Sequence, residues 1–338
     1  MKAPETLLLS GHEVCALLPM DECIEVMEDA LRSVTDGTSV LPLRTVIRLD
    51  GTPNAFATMP AVVGKGADAS LGAKIITVFP GNDATPYDSH IGVVLLFDAE
   101  NGKLLAIADA STITSIRTSA VSGLATRLLA REDAHELALL GAGVLAMPHL
   151  EAVRCVRDIG RVRVWTRSGQ RAKEFAARAR ERTGLEVIVS GSAREAVEGA
   201  DVVCTLTAAR TPVLEGAWLA PGVHVNAVGA SLPASRELDT AAVVRSRLFV
   251  DRRESTLNEA GDFRYPRDEG AITEAHILGE LGDLLAGTVR GRTGAGDVTL
   301  FKSLGLAVED VAALRHIHTK AVASGAGTRV ALGGLREG

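Results

Sequence analysis

The sequence predicts an α/β fold, in which a doubly wound parallel-sheet domain is joined to an α+β domain. Three observations carry that expectation. The chain has 338 residues, which is close to two domains at about 150 residues each. Residues 44–97 hold strand-like runs separated by short turns, whereas residues 136–250 alternate strand-like and helix-like runs. Between them, residues 111–130 read as one long helix rich in small side chains, suited to a connector packed closely between domains.

Composition narrows the function classes. Apolar residues make up 46% and charged residues 23%, which excludes a disordered chain. Lys plus Arg number 36 and Asp plus Glu 42, for a net charge of −6. With 7 Phe, 2 Trp, 2 Tyr and no basic tract, the chain offers nucleic acid neither an electrostatic footprint nor a stacking platform. Cys15, Cys23, Cys155 and Cys204 form no CxxC pair and no zinc spacing, and read as reduced thiols of a cytosolic protein. Residues 1–10 carry one Lys and a three-Leu run, shorter than a signal peptide. The uncharged run 137–150 is broken by Gly141, Gly143 and Pro148 and falls short of the roughly 18 apolar residues of a membrane span. The expectation is a cytoplasmic protein with neither a membrane nor a nucleic-acid partner.

Taken in order, Asp21 reads as an N-cap. Ile24, Met27, Leu31 and Val34 then form one apolar face before Gly37 stops the helix. Strand-like runs follow at 44–49, 55–60, 71–79 and 92–97. Asp50-Gly51 and Glu100-Asn101-Gly102 read as hairpin turns, so this sheet is expected to be largely antiparallel. Beyond the long helix come strand 137–140, helix 144–157, strand 162–166, helix 170–182, strand 186–189 and helix 193–198. Strands 202–206, 224–228 and 248–250 complete a parallel sheet covered on both faces. Residues 303–323 are helical again. The expected domains are 1–116, completed by 303–338, and a Rossmann-type domain, 117–302.

The strongest local motif is Gly141-Ala142-Gly143-Val144-Leu145-Ala146, which follows an apolar strand and opens a helix. Gly141 makes the tight turn, Gly143 admits a pyrophosphate to the backbone, and Ala146 stands where a third Gly often does. The helix N-terminus then favours the anion. The next strand ends Thr166-Arg167-Ser168 with no acid for a ribose 2′-hydroxyl. A guanidinium and two hydroxyls suit a 2′-phosphate instead, which favours NADPH while leaving NADH possible.

Three cations outside that half stand out. Arg44 begins a strand, Lys74 lies inside the apolar strand Ala73-Lys74-Ile75-Ile76, and Arg117 lies in the small-residue helix. Buried cations need partners, so each calls for an anionic ligand or an internal carboxylate. His90 precedes a strand and reads first as a loop histidine. His316 and His318 are two apart on a helix and cannot chelate one metal together, so no metal is expected.

Across nearly its whole length the chain resembles the ornithine cyclodeaminase/mu-crystallin family. The resemblance rests on Leu43-Arg44, Met59-Pro60-Ala61, Gly72-Ala73-Lys74, SHIGVVLLFD at 89–98 and ITSIRTSA at 113–120. It continues through the glycine loop, GVHVNAVGA at 222–230, RELD at 236–239 and TLFKSLG at 299–305. It implies a Rossmann-type nucleotide domain, a substrate domain that forms a homodimer, and a nicotinamide cofactor. By position, Arg44, Lys74 and Arg117 correspond to cations that hold the substrate carboxylate. Cofactor contacts are implied at Ser89, His90, Arg117, Thr118, Gly141, Ala142, Gly143, Val144, Leu145, Thr166, Arg167 and Ser168, and at Thr205, Val228 and Ser303.

One position departs from the cyclodeaminases and related alanine dehydrogenases. They carry an Asp where this chain has Ser231, and a hydroxyl without a base exchanges protons poorly at neutral pH. Ser231, with Lys302 in the FKSLG block, resembles the ketimine-reductase branch. The expectation is therefore an NAD(P)H-dependent reductase of small cyclic ketimine carboxylates, placed in proline metabolism, with Lys74 and Ser231 at the reacting group. The alternatives are an NAD-dependent ornithine cyclodeaminase and a non-catalytic binder of small carboxylates.

Overall fold

Among the described residues, fifteen strands build two sheets. The structure, a computed structural model, describes residues 5–66 and 69–332. In chain order the strands are β1 (Glu5–Leu9), β2 (Thr45–Arg48), β3 (Ala55–Val63), β4 (Ser70–Val78), β5 (His90–Asp98) and β6 (Leu104–Asp109). They continue with β7 (Glu136–Leu140), β8 (Arg161–Trp165), β9 (Glu186–Val189), β10 (Val202–Thr205), β11 (His224–Ala227) and β12 (Arg247–Val250). The last three are β13 (Ile277–Glu280), β14 (Thr299–Lys302) and β15 (Thr328–Ala331). The chain divides into two compact units, Met1–Arg117 with Leu306–Gly338, and Thr118–Gly305.

The first unit holds a seven-stranded sheet in the order β15-β1-β6-β5-β4-β3-β2. Its pairs are antiparallel apart from β1 with β6, which is parallel. The hairpin turns stand as expected, with Gly51 and Gly102 in the left-handed region at φ 70° and 75°. Side chains alternate across β3, so Ala55, Ala57, Met59, Ala61 and Val63 are buried while Phe56 and Pro60 face out. The buried face lies under the helix Ala307–Ser324, which also packs on the helix Met20–Thr35. That second helix corrects one expectation. Pro19, not Asp21, is its N-cap, and Asp21 lies inside the first turn, where a carboxylate suits the helix dipole. Three strands of this unit escaped the pattern: β1, β6 and β15. Part of the 1–10 run lies outside the described residues, and its leucines form β1.

The second unit holds an eight-stranded sheet in the order β13-β12-β14-β11-β10-β7-β8-β9, parallel throughout. Its central strands are buried on both faces, as near-continuous runs such as Leu137-Ala138-Leu139-Leu140 require. One apolar cluster, with Leu150, Val153, Phe175 and Ala179, covers one face; another, with Leu214, Val243 and Phe263, covers the other. Each such Leu, Val or Phe contributes roughly 1.5–3 kcal/mol by leaving water. The strand order reverses beside β7, which has β8 on one side and β10 on the other. Ligands of such sheets bind beyond the carboxyl ends of the strands at that point.

Candidate active site

In the second unit, the chain leaves β7 directly into the glycine loop. Gly141 adopts φ +120°, a conformation side chains avoid, and a Cβ there would lie 2.7 Å from the Leu206 carbonyl. Its N–H donates to the Trp165 carbonyl at 2.8 Å. At Gly143 the position a Cβ would take has nothing within 4 Å, and Val144 is 74% exposed. The helix that follows, Ala146–Val156, begins with no side-chain cap at Leu145. An open glycine backbone ahead of an uncapped helix N-terminus fits a dinucleotide pyrophosphate.

Beneath this loop sits a histidine the sequence did not point to. His149 Nδ1 lies 2.8 Å from both Ser119 Oγ and the Leu145 carbonyl, and its Nε2 lies 3.0 Å from Ser122 Oγ. Complete burial pushes it down to about 4, so the ring is neutral and braces the first turn of the helix. At the end of β8, Thr166 is half-buried and Arg167 exposed. Ser168 accepts the Arg171 N–H at 3.4 Å as N-cap of the helix Gly169–Thr183.

The carboxyl ends of β10 and β11 are held by a second unforeseen group. The fully buried Glu237 carboxylate accepts from Thr205 Oγ1 at 2.8 Å, Thr207 N at 2.6 Å, Thr207 Oγ1 at 2.7 Å, Gly229 N at 2.7 Å and Ala230 N at 3.2 Å. Asp262 accepts the N–H groups of Glu237 and Leu238 at 2.7 and 3.0 Å and pairs with Lys302 at 3.0 Å. Lys302 also donates to the Ala227 carbonyl at 3.2 Å. Ser231, half-buried, follows the two pinned residues Gly229 and Ala230. Thr205 is fully buried with its hydroxyl on Glu237, so its side chain supports the loop from below. Val228 and Ser303 are buried too, and the Ser303 N–H donates to the Ala227 carbonyl at 3.0 Å.

In the first unit, the three expected cations converge. Lys74 stands on β4 opposite Met59 on β3 and Val94 on β5, both buried, and is itself 2% exposed. Its Nζ pairs with Asp310 Oδ2 at 2.7 Å and lies 3.4 Å from Thr114 Oγ1. Arg117 reaches the same carboxylate, Nε to Asp310 Oδ1 at 2.9 Å, and donates from Nη1 to Glu309 at 2.7 Å. The sequence left a choice between an anionic ligand and an internal carboxylate; the structure supplies the carboxylates, adjacent on the helix Ala307–Ser324. Arg44, half-buried, lies close enough for its charge to act on Lys74. Burial, more than the neighbouring guanidiniums, lowers the Lys74 ammonium to about 8, while Asp310 opposes the shift. His90 Nδ1 lies 3.0 Å from Ser89 Oγ, and desolvation and then the Lys74 charge hold the ring below its ordinary value.

Among the described residues, no group of three or more His, Cys, Asp or Glu side chains is placed to hold a metal, and no helix is long and apolar enough to cross a membrane.

Comparison with known proteins follows the same lines. The family model described as the ornithine cyclodeaminase/mu-crystallin family matches residues 4–325. A Δ(1)-pyrroline-2-carboxylate reductase of Bacillus cereus is 37% identical over 325 residues, 96% of this chain and 99% of that protein. The ketimine reductase mu-crystallin of Mus musculus is 40% identical over 283 residues, 84% and 86% of the two chains. Among solved structures, the Δ(1)-pyrroline-2-carboxylate reductase of Thermococcus litoralis, in complex with NADH and L-proline, superposes with a TM-score of 0.93. It is 38% identical and covers 96% of this chain and 100% of its own.

Proposed function

The chain belongs to the ornithine cyclodeaminase/mu-crystallin family, and from that premise we propose that it is an NAD(P)H-dependent reductase of small cyclic ketimine carboxylates. Δ1-Pyrroline-2-carboxylate and Δ1-piperideine-2-carboxylate are the substrate type, and cyclic L-amino acids such as proline are the products. The relatives named for that reduction support the reading. The observation that carries it is the buried convergence of Lys74 and Arg117, with Arg44 beside them, on one face of a unit whose other buried charges are carboxylates.

Arg44 and Arg117 hold the substrate carboxylate, and positioning of this kind is worth several kcal/mol of barrier. Bound NAD(P)H would supply the hydride to the ring C=N carbon. The ring nitrogen must gain a proton for that carbon to accept it, and Lys74 is the donor: one Nζ–H bond breaks, one ring N–H bond forms, and water restores the ammonium. Ser231 stands where the deaminating relatives carry an acid, and it offers a hydrogen bond rather than a base. The open backbone at Gly141, Ala142, Gly143, Val144 and Leu145 receives the pyrophosphate. Arg167, with Thr166 and Ser168, favours NADPH over NADH, and Thr118, Ser89 and His90 border the cofactor.

The same reading includes a homodimer through the first unit. Ile47, Phe56 and Ile91 stand in one cross-strand row of its sheet, 59%, 36% and 43% exposed, with Leu71 on the same face at 40%. An uncovered apolar sheet face beside the edge strand β2 calls for a second copy, and light scattering at micromolar concentration should give twice the chain mass.

The deciding assay follows NADPH and NADH oxidation with a panel of cyclic ketimines and measures ammonia release from ornithine in parallel. Ketimine-dependent oxidation without ammonia is expected, and Lys74→Ala should lower kcat/KM by about 10²-fold or more. Ammonia and proline from ornithine would establish the cyclodeaminase instead. Ligand-dependent stabilisation without turnover would leave a binding protein.

A further inference from the structure

Two carboxylates lie behind the cations of the first unit, and they are bonded differently. Glu309 serves Arg117 and the start of its own helix, accepting the Leu306 N–H at 3.2 Å. Asp310 divides its two oxygens between Lys74 and Arg117. We propose that Asp310 is a positioning residue for proton delivery: it fixes the Lys74 ammonium in place and keeps it protonated at neutral pH. This rests on the reading of Lys74 as the proton donor.

Every element packed around Lys74 contributes to the balance. Met59 on β3 and Val94 on β5 wall it with apolar surface. The helix Ala110–Leu129 presents Arg117 and Thr114, the segment before β2 presents Arg44, and β5 carries His90. Of these, burial and the two guanidiniums favour a neutral amine, and a protonated His90 would add to them. Asp310 is the carboxylate in direct contact with Nζ, at 2.7 Å with no exposed surface of its own. Its own carboxyl is held below the usual range: burial works against ionisation, but Arg117 and Lys74 outweigh it. The carboxylate is therefore charged at neutral pH. With Asp310 in place Lys74 titrates at about 8. Without it, burial, Arg117 and Arg44 all push the same way, and the ammonium loses its proton at lower pH.

The test is the pH profile of kcat/KM for Δ1-pyrroline-2-carboxylate at saturating NADPH, in wild type, Asp310→Asn, Asp310→Glu and Lys74→Ala. The wild-type rate should fall on the alkaline side as Lys74 loses its proton. In Asp310→Asn that limb should move to lower pH by about one unit or more. Asp310→Glu keeps the charge but displaces it by one methylene, and should move the limb the same way by less. A merely structural role would lower Tm and leave the limb in place. A folded Asp310→Asn enzyme with an unmoved limb overturns the role of Asp310 alone; if that variant does not fold, an unmoved limb in Asp310→Glu does the same. A Lys74→Ala enzyme that keeps the wild-type profile overturns proton delivery by Lys74, and this proposal falls with it.

Discussion

Each unit buries an ionic cluster, and the balance of side-chain and main-chain partners differs between the two. In the first, Lys74 and Arg117 meet Asp310 and Glu309, so side chain binds side chain. In the second, Glu237 and Asp262 draw chiefly on the N–H groups of Thr207, Gly229, Ala230, Glu237 and Leu238, with the Thr205 and Thr207 hydroxyls and Lys302 beside them, so side chain binds mostly main chain. The difference separates two uses of a buried charge. A carboxylate saturated by main-chain donors fixes the path of the chain, here the loop that carries Ser231. Cations backed by carboxylates on one helix have their charge balanced inside a dry interior. Burial alone does not distinguish the two; the identity of the partners does.

The comparison breaks first at Glu237. Glu237→Ala would leave five donors around an empty site and unbalance Lys302 and Asp262, so it should cost about 3–5 kcal/mol in urea unfolding. Near-wild-type stability would mean that the second cluster is not a scaffold.

Acid should sharpen the contrast. Burial, before any partner, pushes His149 down to about 4 and His224 to about 3, so both are neutral in the folded chain. The unfolded chain takes up their protons below about 6.5 while the folded chain does not, so stability falls as pH drops from there toward 4. The loss at pH 4.5 is roughly 2–3 kcal/mol for each histidine. Glu237, raised by burial and then by Asp262, offsets part of it. Asp310 is held low, so its contribution is still full at pH 4.5 and is lost only as pH falls from the ordinary carboxylate value downward. Hydrogen exchange at pH 7 and 4.5 should show the second unit losing protection first; equal loss in both would contradict this account.

Smaller effects concern the cofactor and the substrate. Arg167→Ala removes one charge-assisted contact worth roughly 1.5–3 kcal/mol and should raise KM for NADPH tenfold or more, with little change for NADH. Equal losses with both would take Arg167 away from the 2′-phosphate. Ser231→Ala removes a neutral hydrogen bond of about 1 kcal/mol, and kcat/KM should fall roughly tenfold or less. A loss as large as that of Lys74→Ala would make Ser231 a principal catalytic residue.

What the sequence determined by itself was whatever depends on short spacing. The strand–helix alternation, the glycine loop and the hairpin turns at Gly51 and Gly102 are local, because φ/ψ preferences and apolar periodicity act over a few residues. Several strands it missed depend on partners far away or out of order: β15 pairs with β1, about the whole chain length away, and β14 lies between β11 and β12; β6 was missed although it pairs with the neighbouring β5. Lys74 stood out as a cation in an apolar run, which a local pattern can show. Which carboxylate answers it could not be read, since Asp310 lies 236 positions later on another element. Neither Glu237, inside the RELD block, nor His149 showed its bonding role, for the same reason. A glutamate or histidine in a sequence is solvated by default, and only packing removes the water that makes its hydrogen-bond partners decisive.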